Sequence, residues 1–157
     1  MVFLIVAGVF LVSIFKASKN NSEDSSSTDT SNDSQTLHRR VEHNTRAISL
    51  VKYGDPNFDA RTFTSWVKEV YLKLQVAWTE KNWNSVRALE STSLYSQHSA
   101  QLEDHIRAKT TNVLEKVCIE NVRIKEFIEN PDGNDTLVVI LSSTLRDYVI
   151  DDETRRV

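Results

Sequence analysis

Cysteine is almost missing from this chain: Cys118 is the only one in 157 residues. That excludes an internal disulfide framework and any multi-cysteine metal site. Glycine and proline are also scarce, at three and two. Neither GxxxxGK nor GxGxxG occurs, so no glycine-rich loop is available to cradle a phosphate. Positive charge is not in excess. Lys and Arg number 19 against 22 Asp and Glu, a net of -3, which argues against a basic nucleic-acid binder. Charged residues at 26% and hydrophobic residues at 39% place most of the chain among soluble globular proteins.

What is there changes abruptly along the chain. Residues 1–15 carry no charge and one polar side chain, Ser13. As a helix this run spans about 22 Å, short of a hydrocarbon core of about 30 Å. A signal peptide would need a basic start and a small-residue cleavage site, and neither is present. A soluble core helix would need cover, yet a long polar tract follows. The expectation is a single-pass membrane segment over residues 1–16, helped by a snorkelling Lys16 or begun upstream of Met1. Lys16 and Lys19, with Arg39, Arg40 and Arg46 further on, put the remainder on the cytoplasmic side by the positive-inside rule.

Residues 18–36 contain no apolar side chain. Such a tract buries too little to offset its ordering entropy, so residues 17–36 are expected as a disordered polar tether. Its Asn20-Asn21-Ser22 is a formal glycosylation sequon. Residues 37–54 hold four Lys/Arg against one Glu, a local net of +3. Leu37, Val41, Ile48 and Val51 fall near one helical face, with Asn44 interrupting it. Two readings stand together. One is a basic amphipathic helix touching anionic lipid through Arg39, Arg40, Arg46 and Lys52. The other is a plain connecting helix packed on the domain, with Gly54 as its stop.

The domain proper spans residues 55–157. Asp59 is placed to cap a helix carrying Phe63, Trp66, Val67, Val70, Tyr71, Leu74, Ala77 and Trp78 at spacings of three and four. Lys81-Asn82 ends it, and a short helical turn follows from Trp83. Ser91 or Thr92 caps a further helix with Leu94, Tyr95, His98, Leu102 and Ile106 on one face. Thr110-Thr111-Asn112 breaks that pattern. The period then falls from 3.6 to 2: residues 113–128 alternate imperfectly, with a slip between Ile119 and Val122 that suggests a bulge. Residues 130–135 form a turn signal. Residues 136–149 make a second strand, apolar on both faces at its start, as in a strand covered on both sides. Residues 151–154 read as another turn, with Arg155–Val157 opening a third strand. A two-stranded hairpin is marginal alone, so further C-terminal strands are expected to be missing from this sequence.

Helices followed by long β hairpins make an α+β layer. At Phe58-Asp59-x-x-x-Phe63, Leu74-Gln75-x-Ala77-Trp78 and Leu94-Tyr95, the chain resembles the C-terminal domain of mitochondrial inner-membrane translocase subunit forty-four and its bacterial relatives. Residues 145–150 resemble that family too. The resemblance implies a nuclear-transport-factor-2-like fold, a cone-shaped roll with helices packed on a curved antiparallel sheet that leaves a pocket. It also implies a membrane-anchored binding or scaffold module that docks a protein partner or serves protein transport. The matched positions Phe58, Phe63, Ala77, Trp78, Leu94 and Tyr95 read as core. The alternative is a small-molecule-binding or catalytic roll of isomerase or hydrolase type.

The chemistry-bearing residues favour binding. His98 shares the apolar face with Leu94 and Leu102 and reads as a hydrogen-bonded structural histidine before a base. His105 is placed away from that face by spacing, and His38 and His43 as solvated. Asp151, Asp152 and Glu153 read as an acidic turn, and Cys118 as a buried strand thiol. Trp66, Val70, Trp83, Tyr95 and His98 are the candidate lining of a pocket for a small apolar ligand, with Trp83 at its mouth. No cofactor, no metal and no nucleic acid is expected, and catalysis, which needs convergent polar groups, has only His98 to offer. The expected partners are the membrane and a protein.

Overall fold

The structure, a computed structural model, describes residues 30–131 and 134–157, with side chains from Val41 onward except those of His43, Asp132 and Gly133. The hydrophobic segment at 1–16, the start of the tether and the Asn20 sequon lie outside the described residues. Three α-helices, α1 (Thr30–Gly54), α2 (Ala60–Thr79) and α3 (Thr92–Arg107), precede two strands, β1 (Thr110–Ile128) and β2 (Thr136–Asp151). A 3₁₀ segment, Trp83–Leu89, joins α2 to α3. The result is the expected α+β layer.

Helix α1 is described from Thr30, so it includes the seven residues ahead of its expected start at 37. Residues 30–36 therefore belong to the helix and not to the tether. Helix α2 starts where Asp59 Oδ1 accepts the Thr62 N–H at 2.7 Å. Helix α3 starts where Ser91 Oγ accepts the Leu94 N–H at 3.3 Å. Both α2 and α3 end on a lysine in the left-handed region, Lys81 (φ 55) and Lys109 (φ 53). At α2 the Lys81 and Asn82 N–H groups donate back to Trp78 O and Ala77 O, which satisfies carbonyls the helix end would otherwise leave free.

The strands pair antiparallel from Thr110↔Asp151 to Ile128↔Thr136. Thr110–Asn112 end the helical pattern as expected, and do so as the first residues of β1, since two β-branched threonines suit a paired strand. The slip expected after Ile119 falls at Ile119/Asn121, and two more register shifts occur at Glu115/Cys118 and Ile124/Glu126. Lys116 lies inside the first of these with φ 53. Residues 116–120 alternate between exposed and half-buried, with Val117 and Ile119 half-buried. Cys118, expected buried, is exposed.

The helices take one face of this ribbon. Thr136, Leu137 and Val139 are buried while Val138 and Ile140 are half-buried, so β2 is covered on both faces at its first two residues and more fully on one face beyond them. After β2 the predicted turn is present. Asp151 Oδ1 accepts from the N–H groups of Glu153 and Thr154 and from the Thr154 hydroxyl. Arg155–Val157 form no strand, though the Asp151 N–H donates to Arg156 O at 2.9 Å.

Two apolar clusters hold the layer together. The first joins Ala47 and Val51 of α1 to Phe58, Ile124 and Leu137, with Ile48, Phe63 and Phe127 against it. The second joins Ala77, Trp83, Val86 and Leu102, with Trp78 and Tyr95 against it. Between their positions on α2, Tyr71 is 1% exposed and its hydroxyl meets Ser143 Oγ at 2.6 Å. The buried stripe of α1 is thus Ala47 and Val51, and Val41 is 64% exposed. Asn44 does not interrupt that stripe. Its Oδ1 accepts the Ile124 N–H at 3.2 Å, beside the last register shift.

Candidate functional site

The second cluster contains the one buried carboxylate–imidazole pair among the described residues. The 3₁₀ segment runs from the end of α2 and delivers Glu90 immediately before the Ser91 cap of α3. His98 lies two turns into α3, on the same inward face as Leu102. Glu90 Oε1 sits 2.6 Å from His98 Nδ1, with side-chain exposures of 1% and 6%. Glu90 Oε2 accepts the Trp83 indole N–H at 3.0 Å. The rings of Trp83 and Trp78 stand edge-on to the imidazole at 5.2 and 6.2 Å. Arg87 closes the outside. Its guanidinium donates to Glu90 O and Thr92 Oγ1 and lies 4.7 Å over the Tyr95 ring.

A carboxylate at Nδ1 fixes the ring and, in the neutral imidazole, leaves Nε2 as the acceptor. That is half of an acid–base constellation. The other half is not assembled. His98 Nε2 is buried with no hydrogen-bond partner, so no second polar group converges on it. Among the described residues, no three His, Cys, Asp or Glu side chains group to hold a metal ion. The pair ties the residue before the α3 cap to the body of α3.

Trp78 leads outward from the cluster to the sheet. Its indole N–H donates to Asn112 Oδ1 at 2.8 Å, and the Asn112 amide donates to Asp147 Oδ1 at 2.5 Å. His105 also faces Trp78, ring to ring at 6.2 Å, contrary to its expected outward placement. Residues 98 and 105 are seven apart, and a helix drifts only about 20° over a heptad, so they share a face.

The acidic turn is a clamp between elements. Asp152 Oδ2 takes Lys81 Nζ at 2.7 Å, its Oδ1 takes the Thr111 hydroxyl at 2.6 Å, and its N–H donates to Lys109 O. Lys109 Nζ reaches Glu153 at 2.6 Å. The Lys81 hydrogen bond, then that of Thr111, holds the Asp152 carboxyl below its ordinary value of 3.8. A depressed carboxylate stabilises the fold above its unfolded-state value, and that contribution disappears as pH falls through the folded-state value. Asp152→Asn is therefore expected to lower the melting temperature near pH 7. The gap to the parent protein should narrow below about pH 3.8. A gap that stays constant from pH 7 to pH 2 would remove this role.

The expected pocket residues divide into two groups. Trp83, Tyr95 and His98 come together in the second cluster. Trp83 is 6% exposed and belongs to the core, not to a mouth, because its indole N–H finds a buried acceptor in Glu90. Trp66 is 40% exposed and stacks near Phe63 at 6.0 Å. It lies about 18 Å along α2 from Trp78, with half-buried Val70 one turn beyond it. Arg46 and Lys52 are exposed on α1. Arg39 and Arg40 lie in α1, but their side chains are outside the described ones, as are those of His38 and His43. Glu90 was missed, because in sequence it reads as a spacer ahead of a cap. Its only signal is a carboxylate eight residues before an apolar-face histidine.

Residues 44–157 match the family described as Tim44-like domain. No curated protein and no solved structure matches the chain.

Proposed function

The chain belongs to the Tim44-like domain family, whose match spans residues 44–157, and from that premise we propose a binding module that holds a protein partner against a membrane. Such domains are consistent with the nuclear-transport-factor-2-like fold. The observation that carries the reading is the outer side of α1. Its inner side is spent on Ile124 and Leu137, so it is not a free amphipathic stripe. What it presents outward is Arg46 and Lys52, with Glu42 one turn before Arg46, together with Leu50 at 46% exposure and Tyr53 at 93%. Lysine and arginine beside an anionic leaflet contribute about 1 kcal/mol each, and tyrosine suits the headgroup region.

Among the described residues, no helix is long and apolar enough to cross a membrane. Anchoring therefore rests on residues 1–16 in this proposal, with the domain on the cytoplasmic side and the α1 surface apposed to lipid. The domain then serves as a scaffold for protein transport or docking.

Flotation of residues 30–157 with anionic liposomes tests the lipid contact. Arg46→Gln with Lys52→Gln is expected to weaken binding roughly 30-fold at physiological salt. Unchanged flotation would remove the lipid role of residues 37–54. For the partner, the full chain is crosslinked in its native membrane, where recovery of no crosslinked protein would defeat the docking reading.

A further inference from the structure

The two edges of the ribbon are finished differently. Along β1, the Ile124 N–H donates to Asn44 Oδ1 and the Leu114 N–H to Thr79 Oγ1. Helix side chains thus take main-chain groups that point away from β2. The extra residue at each of the register shifts, Glu115/Cys118, Ile119/Asn121 and Ile124/Glu126, also lies in β1. Bulges and cover of this kind stop a strand edge from pairing with another chain.

β2 has neither device. No residue is inserted in it, so its main-chain groups alternate regularly. Opposite residues of an antiparallel pair exchange both hydrogen bonds or neither. Val139 and Asp147, opposite Ile124 and Leu114, therefore turn their N–H and C=O groups outward, as do the odd-numbered residues between them. Asp151 belongs to the same series, and its N–H donates to Arg156 O at 2.9 Å. Among the described residues, none outside β1 bonds to the main chain of residues 137–147. From Thr136 to Leu145 the strand has no proline and no charge, the residues that usually blunt an edge.

We propose that this edge pairs with the same edge of a second copy of the chain, antiparallel about a two-fold axis at Ser142. Charge sets the register, because like charges directly opposite are destabilising. An axis at Leu141 would put Asp135 of one copy against Asp147 of the other, and an axis at Ser143 would put Asp135 against Asp151. The axis at Ser142 sets Ser142 against Ser142, Ile140 against Thr144, Val138 against Arg146 and Leu137 against Asp147, so no charged side chain meets another. On the side facing the helices, half-buried Leu145 comes opposite buried Val139. The product is a four-stranded antiparallel sheet whose outer edges are the two copies of β1, the bulged and covered ones. A two-fold axis makes the contact self-limiting, and three or more strands are better able to stand than a lone hairpin. The inference is independent of the lipid contact at α1.

Cysteine cross-linking and sedimentation velocity on the full chain in detergent solution test it. Ser142 and Thr144 are exposed, so substitution there leaves the core in place. Even-numbered residues of the facing strands form the non-hydrogen-bonded pairs, with Cα atoms about 4.5 Å apart, within disulfide range. In a Cys118→Ser background, Ser142→Cys is expected to form a disulfide-linked dimer on mild oxidation roughly tenfold faster than Thr144→Cys, which faces Ile140 and not its own counterpart. Ser142→Lys sets two ammonium groups face to face and is expected to weaken association of the parent chain roughly tenfold or more. Equal cross-linking at the two positions, or none at either, would overturn the proposal. So would a parent chain that stays monomeric because the edge is bare or held by another segment, or a dimer that Ser142→Lys leaves unchanged.

Discussion

Ile124→Ala is expected to lower the unfolding free energy by about 2–5 kcal/mol, the range for truncating a fully buried aliphatic side chain. Ile124 has no exposed surface. It packs with Ala47 and Val51 from α1, Phe58 from the α1–α2 connection and Leu137 from the opposite strand. These neighbours are fixed by different elements, so they cannot all move inward to fill the void. The main-chain bond from Ile124 N–H to Asn44 survives the substitution, which isolates the packing contribution. Ile124→Val should cost only about 0.5–1.5 kcal/mol. Urea denaturation measures both, as a shift in midpoint at constant slope. A loss below about 1 kcal/mol for alanine would mean that α1 does not close a packed core over the sheet.

Val51→Asp tests the docking of α1 from the other side. Val51 is 3% exposed, and aspartate there would place a carboxylate among Phe58, Ile124 and Leu137 with no cation provided. An unpaired buried charge costs several kcal/mol, and the burial of valine itself contributes about 1.5–3 kcal/mol. The expected loss exceeds about 3 kcal/mol, and the amides of residues 44–51 lose exchange protection before those of β1 and β2. The electrostatic reading of the α1 surface adds a second readout. Arg46 and Lys52 remain in the variant, so liposome binding should persist as the core weakens. If flotation and stability fell together, lipid binding would depend on the docked helix as a whole. If α1 stayed protected and stability changed by less than about 1 kcal/mol, the docked arrangement would be wrong.

Much of the architecture is legible in local pattern. The stripe from Phe63 to Trp78 locates α2, and Asp59 and Ser91 mark helix starts because a side-chain oxygen one turn before free N–H groups is a local device. The Asn130–Asp135 turn and the slip near Ile119 are equally local. The residues that were misplaced share a different property. Cys118 faces outward because it alternates along β1 with half-buried Val117 and Ile119. Asn44 reads as a flaw in an apolar stripe until Ile124 N–H supplies its partner across 80 positions. His105 reads as turned away from the apolar face until the Trp78 ring is set against it, and Trp83 reads as a rim residue until Glu90 is placed at its indole N–H.

By itself the sequence determined the α+β order, the helix caps and the hairpin, because periodicity, capping and turn chemistry act over a few residues, and its resemblance to a known family at Phe58, Phe63, Trp78 and Tyr95 agrees with the family match over residues 44–157. Only the tertiary structure decided which polar groups are paired and which are left over. The meeting of Glu90 with His98 and Trp83, the Asp152 clamp on Lys81 and the exposure of Cys118 depend on distances between separate elements. Hydrogen bonds to buried groups are settled when those elements pack, and no local preference encodes the partner in advance.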